Sequence, residues 1–402
     1  MKREPTLEDM WPRVRAEIAA ARRRECWRRR TWRAARMAVL LAVLAGIGWL
    51  AFRTDTRDSA TVLTAALWQT GEVNPLKVMT DDYPLRFGGV LVVARGQSER
   101  QQVAGLNALT GTTIWTSQTR FSKCRMARHD GKVFVLGSQD GLEWECLALE
   151  AATGRTLWRH REAGRPGAPP STLAAMSGGV CWTEGNQIVS LDAETGALRW
   201  RNNLETKGSV SAPLIQGHTV YAADGRRLRA LRLDTGAAHW SLTLPAGAEV
   251  AGLGRPILES ADDKILVAYR GAGGGGVLCA VDAQKPEVLW TRKVEAPVRL
   301  RYHQGRVFLR AQDLSAYDAA TGRPLWWVHV GGCGSLQFKD DKVFLVDAAE
   351  QARILGLDAA TGQLVWTRDA LGSCQGLVIS ETTGFIASNN RMLYALAMGV
   401  KK

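Results

Sequence analysis

Histidine is scarce in this 402-residue chain, and the six present (His129, His160, His218, His239, His303 and His329) show no metal-ligand spacing. They read as surface or packing residues, so no metal site is expected. Phenylalanine and tyrosine are also few, eight and six against fifteen tryptophans. That balance indicates that Trp holds some repeated position. The glycine-rich run "GAGGGG" at 271–276 matches G-x-G-x-x-G in letters alone. A dinucleotide site needs a strand before such a run and a helix after it. Here the strand-like "VLCAVD" follows, so the run is read as a hairpin loop.

Acidic residues are short overall, but unevenly so. Residues 1–36 hold 12 Lys+Arg against 5 Asp+Glu, a net +7, which leaves +6 of the total +13 for the other 366 residues. Within this basic arm Thr6 and Asp9 resemble a capping box, and Trp11, Val14 and Ile18 follow at helical spacing. Arg22–Arg24 and Arg28–Arg30 then form a basic face beside Trp27 and Trp32. Such a face suits anionic lipid headgroups, at about 1 kcal/mol per basic residue. Nothing groove-reading accompanies it, so no nucleic acid is expected.

The arm runs into "MAVLLAVLAGIGWLAF", residues 37–52, sixteen uncharged residues between Arg36 and Arg53. At about 1.5 Å per residue the run reaches roughly 24 Å, enough to cross a bilayer if the flanking arginines snorkel. A cleaved signal peptide would carry a 36-residue n-region, and no clean small-x-small site follows the apolar run. The expectation is an uncleaved signal anchor, with residues 1–36 cytoplasmic and the remainder across the membrane, as the excess of Arg on the N-terminal side dictates.

The repeated position of Trp lies in one phrase. It reads "LNALTGTTIW" (106–115), "LEAATGRTLW" (149–158), "LDAETGALRW" (191–200), "LRLDTGAAHW" (231–240), the degenerate "VDAQKPEVLW" (281–290), "YDAATGRPLW" (317–326) and "LDAATGQLVW" (357–366). Glycine holds the turn in six copies, Gly111, Gly154, Gly196, Gly236, Gly322 and Gly362, and Pro286 in the other. Each copy predicts a hairpin, because Gly adopts positive φ without a Cβ clash and the preceding Asp or Thr can bond local backbone. Two more strands precede each hairpin, as in "KVFVLGSQDG" and "KVFLVDAAE". Four antiparallel strands in about forty residues describe a propeller blade.

Seven complete units end at Trp115, Trp158, Trp200, Trp240, Trp290, Trp326 and Trp366, and an eighth after Trp366 lacks its outermost strand. The segment "TVLTAALWQTGEV", residues 61–73, carries Trp68 where that strand is needed. The expected fold is therefore an all-β, eight-bladed propeller closed by its own N-terminal strand. The expected domains are a basic cytoplasmic arm (1–36), a transmembrane signal anchor (37–52), a linker (53–60) and the propeller (61–402).

From Thr61 to Gly399 these repeats resemble those of the PQQ-like propellers, most of all the group of the outer-membrane assembly factor BamB. That resemblance implies a protein-binding propeller of the cell envelope. It also implies a lipid anchor, but no cysteine follows the apolar run, so a transmembrane anchor is expected in its place. Quinoprotein dehydrogenases share the repeats and hold a quinone with calcium, a catalytic aspartate and often a disulfide between adjacent cysteines. Here no two cysteines are adjacent and the blades are minimal. Asp192, Asp282, Asp318 and Asp358 lie in the phrase itself and read as structural.

Six cysteines lie beyond residue 52. Cys333 and Cys374, near the start of inner strands in neighbouring blades, could form a bridge or simply pack as small apolar groups. Inner strands also offer Arg125, Arg128, Arg299, Arg301 and Lys339, read as solvated or paired within the ring. The expectation is a membrane-anchored scaffold for envelope protein partners, with no catalytic residues, no cofactor and no small-molecule substrate. Glu162–Pro170 and Pro245–Gly276 are its candidate contact regions. Alternatives are a quinoprotein-type dehydrogenase, or an envelope sensor signalling through the basic arm.

Overall fold

A computed structural model describes residues 66–73, 83–96, 101–139, 143–164, 170–176, 178–206, 210–224, 227–245, 255–271, 275–331, 335–347, 353–369, 374–380, 382–388 and 391–398. They form eight four-stranded antiparallel sheets. Seven are built from consecutive strands, spanning 85–121, 123–163, 174–203, 214–243, 257–294, 299–328 and 337–369. The eighth takes Cys374–Ile379, Thr383–Ser388 and Leu393–Ala397 from the C-terminal end and Ala66–Thr70 as its outermost strand. Trp68 pairs with Ala395 in that sheet. Just past that strand, Glu72 O accepts from Gly96 N–H of the first blade at 2.9 Å. The expected eight-bladed propeller is the fold. Among the described residues no helix is long and apolar enough to cross a membrane, and residues 37–52 lie outside them.

Burial explains the pattern of each blade. In the second, the second strand Lys132–Ser138 is buried at every position after the first, because both faces of the sheet meet a neighbouring blade. Its outermost strand Thr156–Ala163 alternates, with one side towards water. The cores accordingly lie between blades. Phe134, Leu136, Cys146 and Ala148 of the second blade pack with Val180, Trp182, Val189 and Leu191 of the third. Phe385 and Leu393 of the eighth pack with Leu91 and Val103 of the first. Each such side chain contributes about 1.5–3 kcal/mol on burial, so stability resides in the contacts that close the ring.

The phrase that marks each blade is a clasp between blades. Trp115 Nε1 donates to Ala151 O of the next blade, and Trp68, Trp158, Trp200, Trp290 and Trp326 reach Ala108, Ala193, Leu233, Ala319 and Ala359 in the same way, at 2.8–3.2 Å. Each acceptor is the third residue of the following phrase. The turn glycine of that phrase lies against the same indole. At Gly154 (φ 72°) a Cβ would stand 2.4 Å from the Trp115 ring, so only glycine meets both the backbone conformation and the close approach. Gly111, Gly196, Gly236, Gly322 and Gly362 lie in the same way on Trp68, Trp158, Trp200, Trp290 and Trp326. The departure falls where Pro286 replaces glycine: Ala283 O there accepts the Tyr221 hydroxyl at 2.7 Å, and Trp240 is only half-buried.

The phrase's aspartates hold the turns. Asp358 accepts from the N–H groups of Ala360 and Thr361 and from the Thr361 hydroxyl at 2.8–3.0 Å, and Asp192 does the same with Glu194 and Thr195. Arg199 donates to the other Asp192 oxygen at 2.6 Å. That bond, followed by those from Thr195 and Glu194, draws the Asp192 carboxyl down to about 2. These carboxylates are spent on local backbone, the structural role read for them from the sequence.

Candidate functional site

The strand of each sheet farthest from its Trp-bearing outer strand lies innermost, and these inner strands pack on their neighbours from the second to the sixth blade and between the seventh and eighth. Several of them are short, three residues in Ala174–Met176, Leu214–Gln216 and Gln337–Lys339. A cavity of about 560 Å³ opens at one end, where the chain enters the inner strands of the third to sixth blades. Prolines mark those entries: Pro170, Pro213 and Pro256 line it. A second cavity of about 500 Å³ shares Thr172, Leu173, Glu259 and Arg301 with the first and continues to Leu85, Met126 and Phe338.

The first cavity is basic. Arg125, Arg255, Arg299 and Arg301 line it against one acid, Glu259. Glu259 is engaged: its carboxylate accepts from Arg301 Nη1 and from the Tyr302 N–H, both at 3.3 Å. Arg125 differs from the rest. It projects from the inner strand Lys123–His129, is 4% exposed, and its Nε and Nη1 have no hydrogen-bond partner. Its guanidinium carbon stands 5.3 Å from the centre of the Trp144 ring. Burial, and after it the neighbouring Arg255, bring its pKa down to about 10, which leaves it charged at neutral pH. Burying an unpaired ion costs about several kcal/mol. The contact with Trp144 returns about 1–2 kcal/mol. The balance is unfavourable, so Arg125 does not earn its place through stability.

Of the inner-strand cations singled out from the sequence, Arg125, Arg299 and Arg301 line the first cavity, and Arg128 and Arg301 the second. Lys339 lines neither. The reading that these charges are paired or solvated fits Arg301 with its Glu259 partner, and Arg128, which donates to Arg86 O at 2.7 Å. Arg125 departs from it, being 4% exposed with its Nε and Nη1 unpartnered. Arg255 was not singled out, although it lies inside the 245–276 excursion. Of the two candidate contact regions, Pro170 and Arg255–Glu259 reach the channel mouth, while 165–169, 246–254 and 272–274 lie outside the described residues.

Among the described residues the cysteines supply no second site. Cys124, Cys146, Cys181 and Cys279 are buried and free, and burial pushes each thiol up to about 12 or beyond. Cys333 and the side chain of Cys374 lie outside the described residues. Among the described residues no three His, Cys, Asp or Glu side chains are grouped to hold a metal ion. On the outer surface the large apolar side chains Leu67, Leu109, Trp327 and Leu364 are 58–84% exposed. Trp327 stands over a cleft of about 320 Å³ with Glu295, Asp313 and Tyr317, a feature the sequence hid beside the repeat tryptophan Trp326.

Eight four-stranded blades, six of their junctions clasped by Trp and Gly, with a basic cavity at the inner strands, define a PQQ-like repeat propeller. The family model described as "Outer membrane protein assembly factor BamB" matches residues 64–181, 145–301 and 298–395. The chain belongs to that family. It is 25% identical over 243 residues to the outer membrane protein assembly factor BamB of Moranella endobia, across 56% of this chain and 62% of that relative. It thus spans less than two thirds of that relative's length. Among solved structures, BamB from Moraxella catarrhalis superposes with a TM-score of 0.61 at 17% identity, over 83% of this chain and 99% of that one. The quinohemoprotein alcohol dehydrogenase of Comamonas testosteroni superposes with a TM-score of 0.59 at 14% identity, over 84% and 77%. At those identities both likenesses concern the fold, which serves an assembly factor and an enzyme alike.

Proposed function

We propose that this chain is an envelope propeller that binds protein partners in outer-membrane protein assembly, without chemistry of its own. The observation that carries the reading is the match to the assembly-factor family across the blades, from residue 64 to residue 395. Its surface suits the task. The clasped blades are rigid, and exposed Leu109 and Trp327 offer apolar contacts of the kind that anchor interfaces. In this reading residues 37–52 anchor the protein in the inner membrane, the arm 1–36 stays in the cytoplasm, and the propeller faces the periplasm. The +7 arm and the uncharged run that follows it support that arrangement.

The test is photo-crosslinking in living cells from Leu109 and Trp327, each replaced by a photoreactive residue. The expected product is a covalent adduct with a subunit of the outer-membrane protein assembly machinery. Adducts confined to lipid, or none at either position, would count against the scaffold.

A further inference from the structure

The channel contains something a scaffold does not need. Arg125 is a buried cation with two unpartnered N–H groups, on the wall of an open cavity. The charges lining that cavity, four arginines against Glu259, come to +3. Low-dielectric walls focus such a field, so the mouth attracts anions. Leu173, Leu214, Ile257 and Leu300 make the same walls apolar. At about 560 Å³ the space falls in the range that encloses a small organic molecule.

The geometry points to a binding site for a small organic acid, with its carboxylate on the Arg125 guanidinium and its apolar body along the leucines of the channel mouth. A planar carboxylate matches a guanidinium, and the low-dielectric walls strengthen such a pair. The apolar walls select against a compact inorganic anion, which could not use them. Arg255 beside Arg125 adds to the attraction, and Glu259, the one acid lining the cavity, is already bonded by Arg301. The site departs from the expectation that the propeller takes no small molecule. It does not depend on which protein the propeller's outer surface binds.

The test uses the purified full chain in detergent, with 3-phenylpropanoate as the probe and 3-phenylpropanamide and sulfate as controls, read by calorimetric titration. The acid is expected to bind saturably, the amide and sulfate at least about tenfold more weakly, and Arg125→Met to weaken the acid by about tenfold or more, the scale of a lost charge-assisted bond. Arg125→Lys, which keeps the charge, should retain part of the binding. The melting temperature of the ligand-free protein is a second readout. Because Arg125 is an unpaired buried charge, Arg125→Met should raise it. Equal binding of acid and amide, binding unaffected by Arg125→Met, or a lowered melting temperature in that ligand-free variant would each overturn the site. A variant too unstable to purify belongs with the last of these outcomes.

Discussion

Replacing Gly154 by alanine probes the clasp between blades directly. Gly154 has φ 72°, and its missing Cβ would lie 2.4 Å from the Trp115 indole of the preceding blade. The left-handed backbone costs an L-residue about 1–2 kcal/mol. The indole must also shift, which strains its packing by about 1–3 kcal/mol. The shift weakens its bond to Ala151 O, now 3.0 Å long, worth about 1 kcal/mol. Gly154→Ala should therefore cost roughly 3–6 kcal/mol in total. In a Trp115→Ala background only the backbone cost remains, so a double-mutant cycle measured by urea unfolding should give a coupling of about 2–4 kcal/mol. Trp158 shares a phrase with Gly154 but packs under Gly196. Its cycle with Gly154→Ala should be additive within about 0.5 kcal/mol. Strong coupling to Trp158 and none to Trp115 would refute the clasp.

Other outcomes follow from the same geometry. Trp68→Ala removes the indole bonded to Ala108 O at 3.1 Å and the side chain that covers Phe385, so urea unfolding should register a loss of about 3 kcal/mol, the low end for a large aromatic because Trp68 is only half-buried. Deleting Ala66–Thr70 should destabilise the whole ring rather than fray one end; an unchanged melting temperature would contradict closure through that strand. The folded pKa of Asp192 lies near 2, below its unfolded value of about 4, so its contribution is complete above about pH 4 and is lost as pH falls towards 2. Asp192→Asn should accordingly lose less stability than the parent across that window in acid titrations followed by circular dichroism. A reporter active only outside the cytoplasm should work when fused after Lys402 and fail within the first 30 residues; the reverse would put the arm on the wrong side of the membrane.

The blades were legible because the phrase recurs at a spacing only a propeller needs, and the missing outer strand of the eighth blade could be sought at the other end of the chain. The clasp was not. Gly154 and Trp158 stand four residues apart in one phrase, and nothing in that spacing says that each packs against a different blade. The channel was half legible. Arg125, Arg299 and Arg301 were visible as inner-strand cations, but a strand of a few residues has too little periodicity to say which side chains find a partner. Arg125 keeps unpartnered N–H groups while Glu259, the one acid lining the cavity, bonds Arg301 between the fifth and sixth blades, far from Arg125 in sequence. Trp327 was overlooked because it directly follows Trp326, and strand alternation turns one to the next blade and the other to solvent.

The proposal that the propeller serves outer-membrane protein assembly is tested most directly by removing the chain from the cells that make it and quantifying β-barrel proteins in their outer membranes. The account predicts that barrel levels fall and that the intact chain, supplied in trans, restores them. Barrel levels that stay unchanged after removal would contradict it.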